Sequence, residues 1–234
     1  MYAPTSVNGL DVDRLSGTMD AVTANPALAQ FQFRARHEWI GGSYSRTTIK
    51  DFYGVGQEDA SRTEAFTVES DEPPVLLGEN RAPNASEYVL HALAACLTGT
   101  IAFHAAARGI ALEGLEATVE GDLDAQGVLG LNDNVRPGYG HIRVTIKVTG
   151  DFDDDQLSEL ADLTRYSPVR DVISNPVPVA IDLARAWAIR RCPHQPPGPV
   201  RTSGAGAFTA DLSVQDGGVQ QCLRLLPNPH LTPT

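Results

Sequence analysis

The stretch ASEYVLHALAACLTGTIAFHAAARG, residues 85–109, decides the fold. It holds no turn residue except Gly99 until Arg108-Gly109, which reads as a helix stop. Alanine and leucine dominate it, and apolar residues occupy nearly every helical face. That pattern predicts a helix buried on all sides rather than a surface helix. At about 1.5 Å of rise per residue, residues 86–108 would extend roughly 33 Å, close to the width of a small domain. In the middle lies Cys96. A free cysteine in an alanine-rich helix most often fills space as a small apolar residue. Against that reading, polar residues recur along the same helix at Glu87, His91, Thr98, Thr100 and His104. On a 3.6-residue period Glu87 lies about 180° from Cys96, across the helix, and His104 about 80° ahead of it, so only His104 stands near the same side. A reactive thiol also needs a partner that lowers its pKa from about 8.5, and an arginine does this best.

The segments before this helix read as strands. FQFRARHEWIGG (31–42) alternates, with Phe31, Phe33, Ala35 and His37 on one side, and predicts a half-buried strand ending in a Gly-Gly turn. SRTTIKDFYG and EAFTVES continue as strand-like pieces, which makes the opening third a β meander. NGLDVDRLSGTMDAVTA (8–24) has helical spacing, and Asp11 and Asp13 suit its start. DEPPVLLGENRAPN (71–84) is a loop.

After the helix, GLEATVEGDLD and GHIRVTIKVTGDF are alternating strands, with Ile142, Val144, Ile146 and Val148 on one face. DDDQLSELADLTRY predicts an acid-capped helix with Leu157, Leu160, Ala161 and Thr164 inward. SPVRDVISNPVPVAIDL reads as a short helix followed by a strand. The order β-β-α-β-β-α-β predicts an α+β fold, antiparallel strands with helices on one face. We divide the chain into an N-terminal helical extension (1–27), a central domain (28–188) and a Pro/Gly-rich C-terminal tail (189–234).

Composition sets limits on function. The 234 residues carry a net charge of −11, with no basic run, which argues against nucleic acid as a partner. The N-terminus has neither a basic nor an apolar signal region. No uninterrupted apolar run reaches the roughly 18 residues needed to span a membrane, since His91 and His104 break the best candidate. The expectation is a soluble cytoplasmic protein with no membrane partner. Three cysteines, Cys96, Cys192 and Cys222, are too few for a disulfide framework, and no CxxC pair is present. In a reducing compartment Cys96 is then a free thiol. His91 and His104 stand five and eight residues from Cys96, not the spacing that aligns two ligands on one helical face, so neither a metal nor a cofactor is expected. The DFDDD run reads as a helix cap rather than a calcium loop.

Glu87-Tyr88-Val89-Leu90 followed by His91-Ala92-Leu93-Ala94-Ala95-Cys96 resembles the central helix of the OsmC-like and organic-hydroperoxide-resistance proteins. The resemblance runs from about Asn8 to Leu183. It includes Trp39-Ile40-Gly41-Gly42, the 71–84 loop, the VRPGYG turn and Ser167-Pro168-Val169, and it is nearer the broader OsmC-like branch. It implies an OsmC-like fold, an antiparallel sheet wrapped on a long buried helix, in an interwoven homodimer with sites at the subunit interface. It also implies a peroxiredoxin-like thiol peroxidase for organic hydroperoxides and hydrogen peroxide. There a thiolate becomes a sulfenic acid that a second cysteine resolves. Cys96 matches the peroxidatic position and Glu87 the helix-start glutamate. Arg46 answers to the supporting arginine, with Arg62 as the alternative. Two positions depart from the pattern: Asn84-Ala85-Ser86 stands where a proline is expected, and Ser167 opens the Ser-Pro-Val segment where the family has its resolving cysteine. Serine at an N-cap with proline at the first helical position is by itself a good helix start.

Three readings follow. In the first, Cys96 oxidises and an external thiol resolves it, or Cys192 or Cys222 does so from the tail. In the second, the dimer is a non-catalytic binder of a small apolar ligand or lipid-like tail, with Cys96 as packing or sensor. In the third, Cys96 joins His91 or His104 in a metal site.

Overall fold

The computed structural model describes residues 6–185. Contacts divide the chain into Met1–Val179 and Ala180–Thr234, and the architecture below is that of the first unit. Cys192, Cys222 and the expected tail lie outside the described residues.

A two-residue hairpin, β1 (Ser6–Val7) and β2 (Leu10–Asp11), turns at Asn8-Gly9, both with positive φ. The Asn8 amide donates to the carbonyl of Ile110, and its oxygen accepts from the Leu112 amide. These bonds tie the N-terminus to the far end of the central helix. Helix α1 (Val12–Ala24) follows, capped by Asp11 as its sequence predicts.

The meander is present as five strands. β3 (Arg36–Gly41), β4 (Tyr44–Ile49) and β7 (Phe66–Ser70) form one antiparallel sheet, β4 in the centre. The hairpin of β5 (Phe52–Gly54) and β6 (Gln57–Asp59) is inserted between β4 and β7. One expectation fails: β3 is not half-buried. It is exposed along nearly its whole length, Trp39 at 69%, because no layer among the described residues covers the sheet there.

The loop from Asp71 to Asn84 is rigidly specified. The buried Asp71 carboxylate accepts from the Ser43 hydroxyl at 2.6 Å and from the amides of Glu72, Glu79 and Arg81. Gly78 passes so close to the Glu72 carbonyl that a Cβ would lie 1.8 Å from its oxygen. These bonds, the Ser43 hydroxyl foremost, hold the Asp71 carboxyl down to about 2.

The loop delivers the chain to helix α2 (Ala85–Ala107), 23 residues long. Asn84 and Glu87 form a reciprocal capping box at its start. Its end is a Schellman motif: Ile110 donates to Ala105, Gly109 to Ala106, and Gly109 takes φ +72°. Burial on all sides is not what this chain alone provides. Leu93, Leu97, Ile101 and Ala105, spaced by four, form the buried stripe, while Val89 and Phe103 remain exposed. By length and composition α2 is also apolar enough to cross a membrane, so the two histidines do not interrupt it, contrary to expectation.

β8 (Gly114–Asp122) and β9 (His141–Thr149) pair antiparallel over nine residues, with the short helix α3 (Ala125–Val128) between them. Helix α4 (Asp154–Leu163) starts on a capping box of Asp153 and Gln156, the acidic cap expected of DFDDD. Its inward residues are Leu160 and Leu163, not the stripe with Leu157 and Ala161: those two are exposed, because the helix presents its C-terminal end to the core. Ile101, Ala105, Ile110, Leu160 and Leu163 make the core, with Leu112, Leu115, Ile146, Val148 and Phe152 against it. A short 3-10 turn leads to helix α5 (Pro168–Ser174). The strand expected after it is absent: no described residue beyond Ser174 is in a strand, and Val177 and Val179 are exposed. Alternation alone does not make a strand when no edge satisfies its backbone groups.

Two outcomes test this account. Leu160→Ala should lower stability by about 2–5 kcal/mol in urea unfolding, since it empties a fully packed site. Asp71 has a depressed folded pKa, so its contribution is complete above the unfolded value of about 3.9 and is lost as pH falls through the folded value of about 2. The melting temperature of wild type should therefore fall more steeply between pH 4 and 2 than that of Asp71→Asn.

Candidate active site

Cys96 sits half-buried near the middle of α2, one position before the buried Leu97. Its polar neighbour comes from the other end of the fold. Leu160 and Leu163 anchor α4 against Ile101 and Ala105, and the turn over Thr164–Tyr166 then brings Ser167 alongside the helix. Ser167 is 1% exposed. Its hydroxyl caps α5 by accepting from the Arg170 amide at 3.3 Å and donates to Cys96 Sγ at 3.1 Å. With one lone pair engaged by the amide, the hydroxyl proton is free to point at sulfur. The structure thus brings together two sequence-predicted residues 71 positions apart in the chain.

The other two lie elsewhere in this chain. Glu87 is exposed and engaged in the capping box, nine residues or about 13 Å along the helix from Cys96. Glu87 also adds to burial in pushing the Tyr139 hydroxyl pKa upward, and Tyr139 donates to the Ser86 carbonyl. Arg46 sits on β4 opposite Glu69, with which it forms a cross-strand ion pair at 3.1 Å, and its pKa is raised by bonds to Tyr44 and Glu69. Arg62 lies over the rings of Phe52 and Phe66, 5.2 Å from each centroid.

The histidines do not join Cys96 either. His91 is exposed and lines a recess with Pro83, Glu87 and Tyr88. His104 is half-buried rather than a core residue, stacked on Tyr166 at 4.7 Å. Burial first, then Arg108 and Arg165, push its pKa down. Among the described residues no group of three His, Cys, Asp or Glu is placed to hold a metal ion.

Leu97, the residue after Cys96, and Arg170, whose amide Ser167 accepts from, line a groove of about 310 Å³ that Cys96 and Ser167 themselves do not line. Its apolar lining is Leu93 and Leu97 from α2, Ile142, Val144 and Ile146 from β9, and Ile173 from α5. Thr164, Arg170 and Ser174 supply the polar lining. Arg170 is not among the residues that the sequence singles out. The signal available is its place three residues after an N-cap serine, which predicts where its amide goes but not its side chain.

Residues 78–182 match the family model described as OsmC-like protein. This region, less than half of the chain, is similar to OsmC-like proteins. It holds α2, β8, β9, α4 and α5, and therefore Cys96, Ser167 and the groove. Similar solved structures include an organic hydroperoxide resistance protein OsmC from Legionella pneumophila, at 19% identity over 63% of this chain and 92% of that one, TM-score 0.45. Another is an OsmC like protein from Mycoplasma pneumoniae, at 14% identity over 62% and 89%, TM-score 0.47. A third is the organic hydroperoxide resistance protein OhrB of Bacillus subtilis, at 20% identity over 61% and 93%, TM-score 0.37. No curated protein matches the sequence.

If the 3.1 Å bond couples Ser167 to Cys96, a double-mutant cycle of Ser167→Ala and Cys96→Ala should give a coupling of about 0.5 kcal/mol or more. Ser167→Ala alone should cost about 1 kcal/mol or more through the lost helix cap. A coupling of zero would mean that the serine serves α5 only.

Proposed function

We propose that this chain is a one-cysteine thiol peroxidase of the OsmC-like kind, acting in defence against organic hydroperoxides and hydrogen peroxide. The observation that carries the reading is the Ser167 hydroxyl at 3.1 Å from Cys96 Sγ. In the first step the Cys96 thiolate attacks the O–O bond of a hydroperoxide. With one proton taken up, the products are an alcohol and the sulfenic acid Cys96–SOH. Ser167 gives the sulfur a fixed donor through this change, but a hydroxyl cannot form a disulfide. Resolution therefore falls to an external thiol. The first thiol condenses with Cys96–SOH to a mixed disulfide and water; a second releases the Cys96 thiol and leaves the reductant oxidised. A reducing compartment, the cytoplasm, supplies such thiols.

The working form is a homodimer. Exposed apolar side chains on the sheet (Trp39, Ile40, Phe66) and on α2 (Val89, Phe103) support this, since association would remove them from water. A second copy is also where an arginine and a glutamate could reach Cys96 if Arg46 and Glu87 take part. Sedimentation should give twice the 25.0 kDa chain mass.

Mass spectrometry after cumene hydroperoxide, with dimedone present, should find Cys96 trapped as its sulfenic acid. Ser167→Cys should instead lose two hydrogens per chain, as the introduced thiol forms a disulfide with Cys96, because the 3.1 Å gap needs to close to only about 2.05 Å. No adduct at excess peroxide in wild type would sink the peroxidase reading. It would favour the other one, a non-catalytic dimer that holds a small apolar ligand in the groove with Cys96 as packing or sensor.

A further inference from the structure

We propose that the groove between α2, β9 and α5 selects a ligand with an apolar body and a carboxylate end, and that Arg170 holds that carboxylate. The six apolar side chains that line the groove come from three different elements, so the concavity is built by the fold and not by one loop. A volume of about 310 Å³, mostly apolar with a few polar groups, is what small-molecule sites look like. Among its lining residues Arg170 alone carries a charge.

That charge has no partner among the described residues. Arg34, Arg46, Arg81, Arg108, Arg143 and Arg165 each form an ion pair with a carboxylate. The Arg170 guanidinium makes neither a salt bridge nor a side-chain hydrogen bond; only its backbone amide is engaged, by Ser167. This amide bond fixes the root of the side chain one residue-to-residue link from the Cys96–Ser167 pair. An arginine at the edge of an apolar groove recognises a carboxylate through two parallel N–H···O bonds. Charge complementarity sets the sign of the ligand, and the apolar walls set the nature of its body. Thr164 and Ser174 supply further polar groups along the same groove.

The inference rests on the peroxidase reading only in calling the ligand a substrate, since binding needs no peroxide. The probe is octanoate, with 1-octanol as the uncharged equivalent, titrated by calorimetry into the full chain in low-salt buffer. Octanoate is expected to bind wild type more tightly than octanol. Arg170→Gln should weaken octanoate about tenfold or more, the size of a lost charged hydrogen bond, while octanol binding changes by no more than about twofold. Arg36→Gln, which alters a cation on the distant β3, should leave octanoate binding as in wild type. Arg170 is exposed and the variant keeps its backbone amide, so folding is preserved; circular dichroism checks this. Equal affinity for octanoate and octanol, no octanoate binding by wild type, or unchanged octanoate affinity in Arg170→Gln would each overturn the proposal. Dimedone trapping of Cys96 in wild type is read separately, so failure of the clamp and failure of the peroxidase reading give different results.

Discussion

The buried stripe of α2 governs the rest of this structure. Leu93, Leu97, Ile101 and Ala105 recur every four residues, and the lower half of that stripe is closed by Leu160 and Leu163 of α4. Those two leucines fix where α4 ends. The turn over Thr164–Tyr166 then has only a short path, and Ser167 arrives at Cys96. The candidate site is thus a by-product of core packing: the leucines that hold the fold also set the oxygen-to-sulfur distance. The upper half of the same stripe, Leu93 and Leu97, is closed not by side chains alone but by the groove with β9 and α5. One helical face therefore serves as core at one end and lines the groove at the other.

The opposite faces of α2 and the sheet β3–β4–β7 present the converse situation. They carry apolar side chains that the other described residues leave open to solvent. Within a single copy Arg46 is matched by Glu69, and Glu87 accepts from the Asn84 amide in the capping box, while much apolar surface stays exposed. Both residues have complete local roles, so any part they play at Cys96 must be added by association. The proposed dimer links these two facts, because the surface that lacks cover and the residues missing from the thiol are on the same uncovered elements.

Serine at position 167 serves the architecture and the thiol at once. It is a better helix cap than most residues, accepting from the Arg170 amide, and it occupies the place beside sulfur without being able to bond to it. The proline after it keeps the helix start intact. The cap and the contact with sulfur come from one hydroxyl, so α5 and the thiol share a single anchoring side chain.

Much of this is legible in the residues themselves. The run of alanine and leucine from Ala85, bounded by Asn84 and by Arg108-Gly109, determines α2 and both its ends, because caps and stops are local chemistry. The alternation of Ile142, Val144, Ile146 and Val148, the acidic start of α4 and the Ser-Pro start of α5 are equally local, and the structure has all three. Cys96 and Ser167 stand out in the sequence, but only folding puts them in contact, since no local rule joins residues 71 apart. The exposure of β3, the missing strand after Ser174 and the inward face of α4 are decided by which partner each element meets. Arg170 and Asp71 are invisible in the sequence for the same reason: an arginine becomes a candidate clamp only beside a groove, and an aspartate becomes a loop anchor only when three amides converge on it. Sequence determined the elements, because hydrogen-bond caps and periodicity act over a few residues. Tertiary structure decided the site, because a thiol, a hydroxyl and a guanidinium acquire their chemistry from neighbours that the chain brings in from far away.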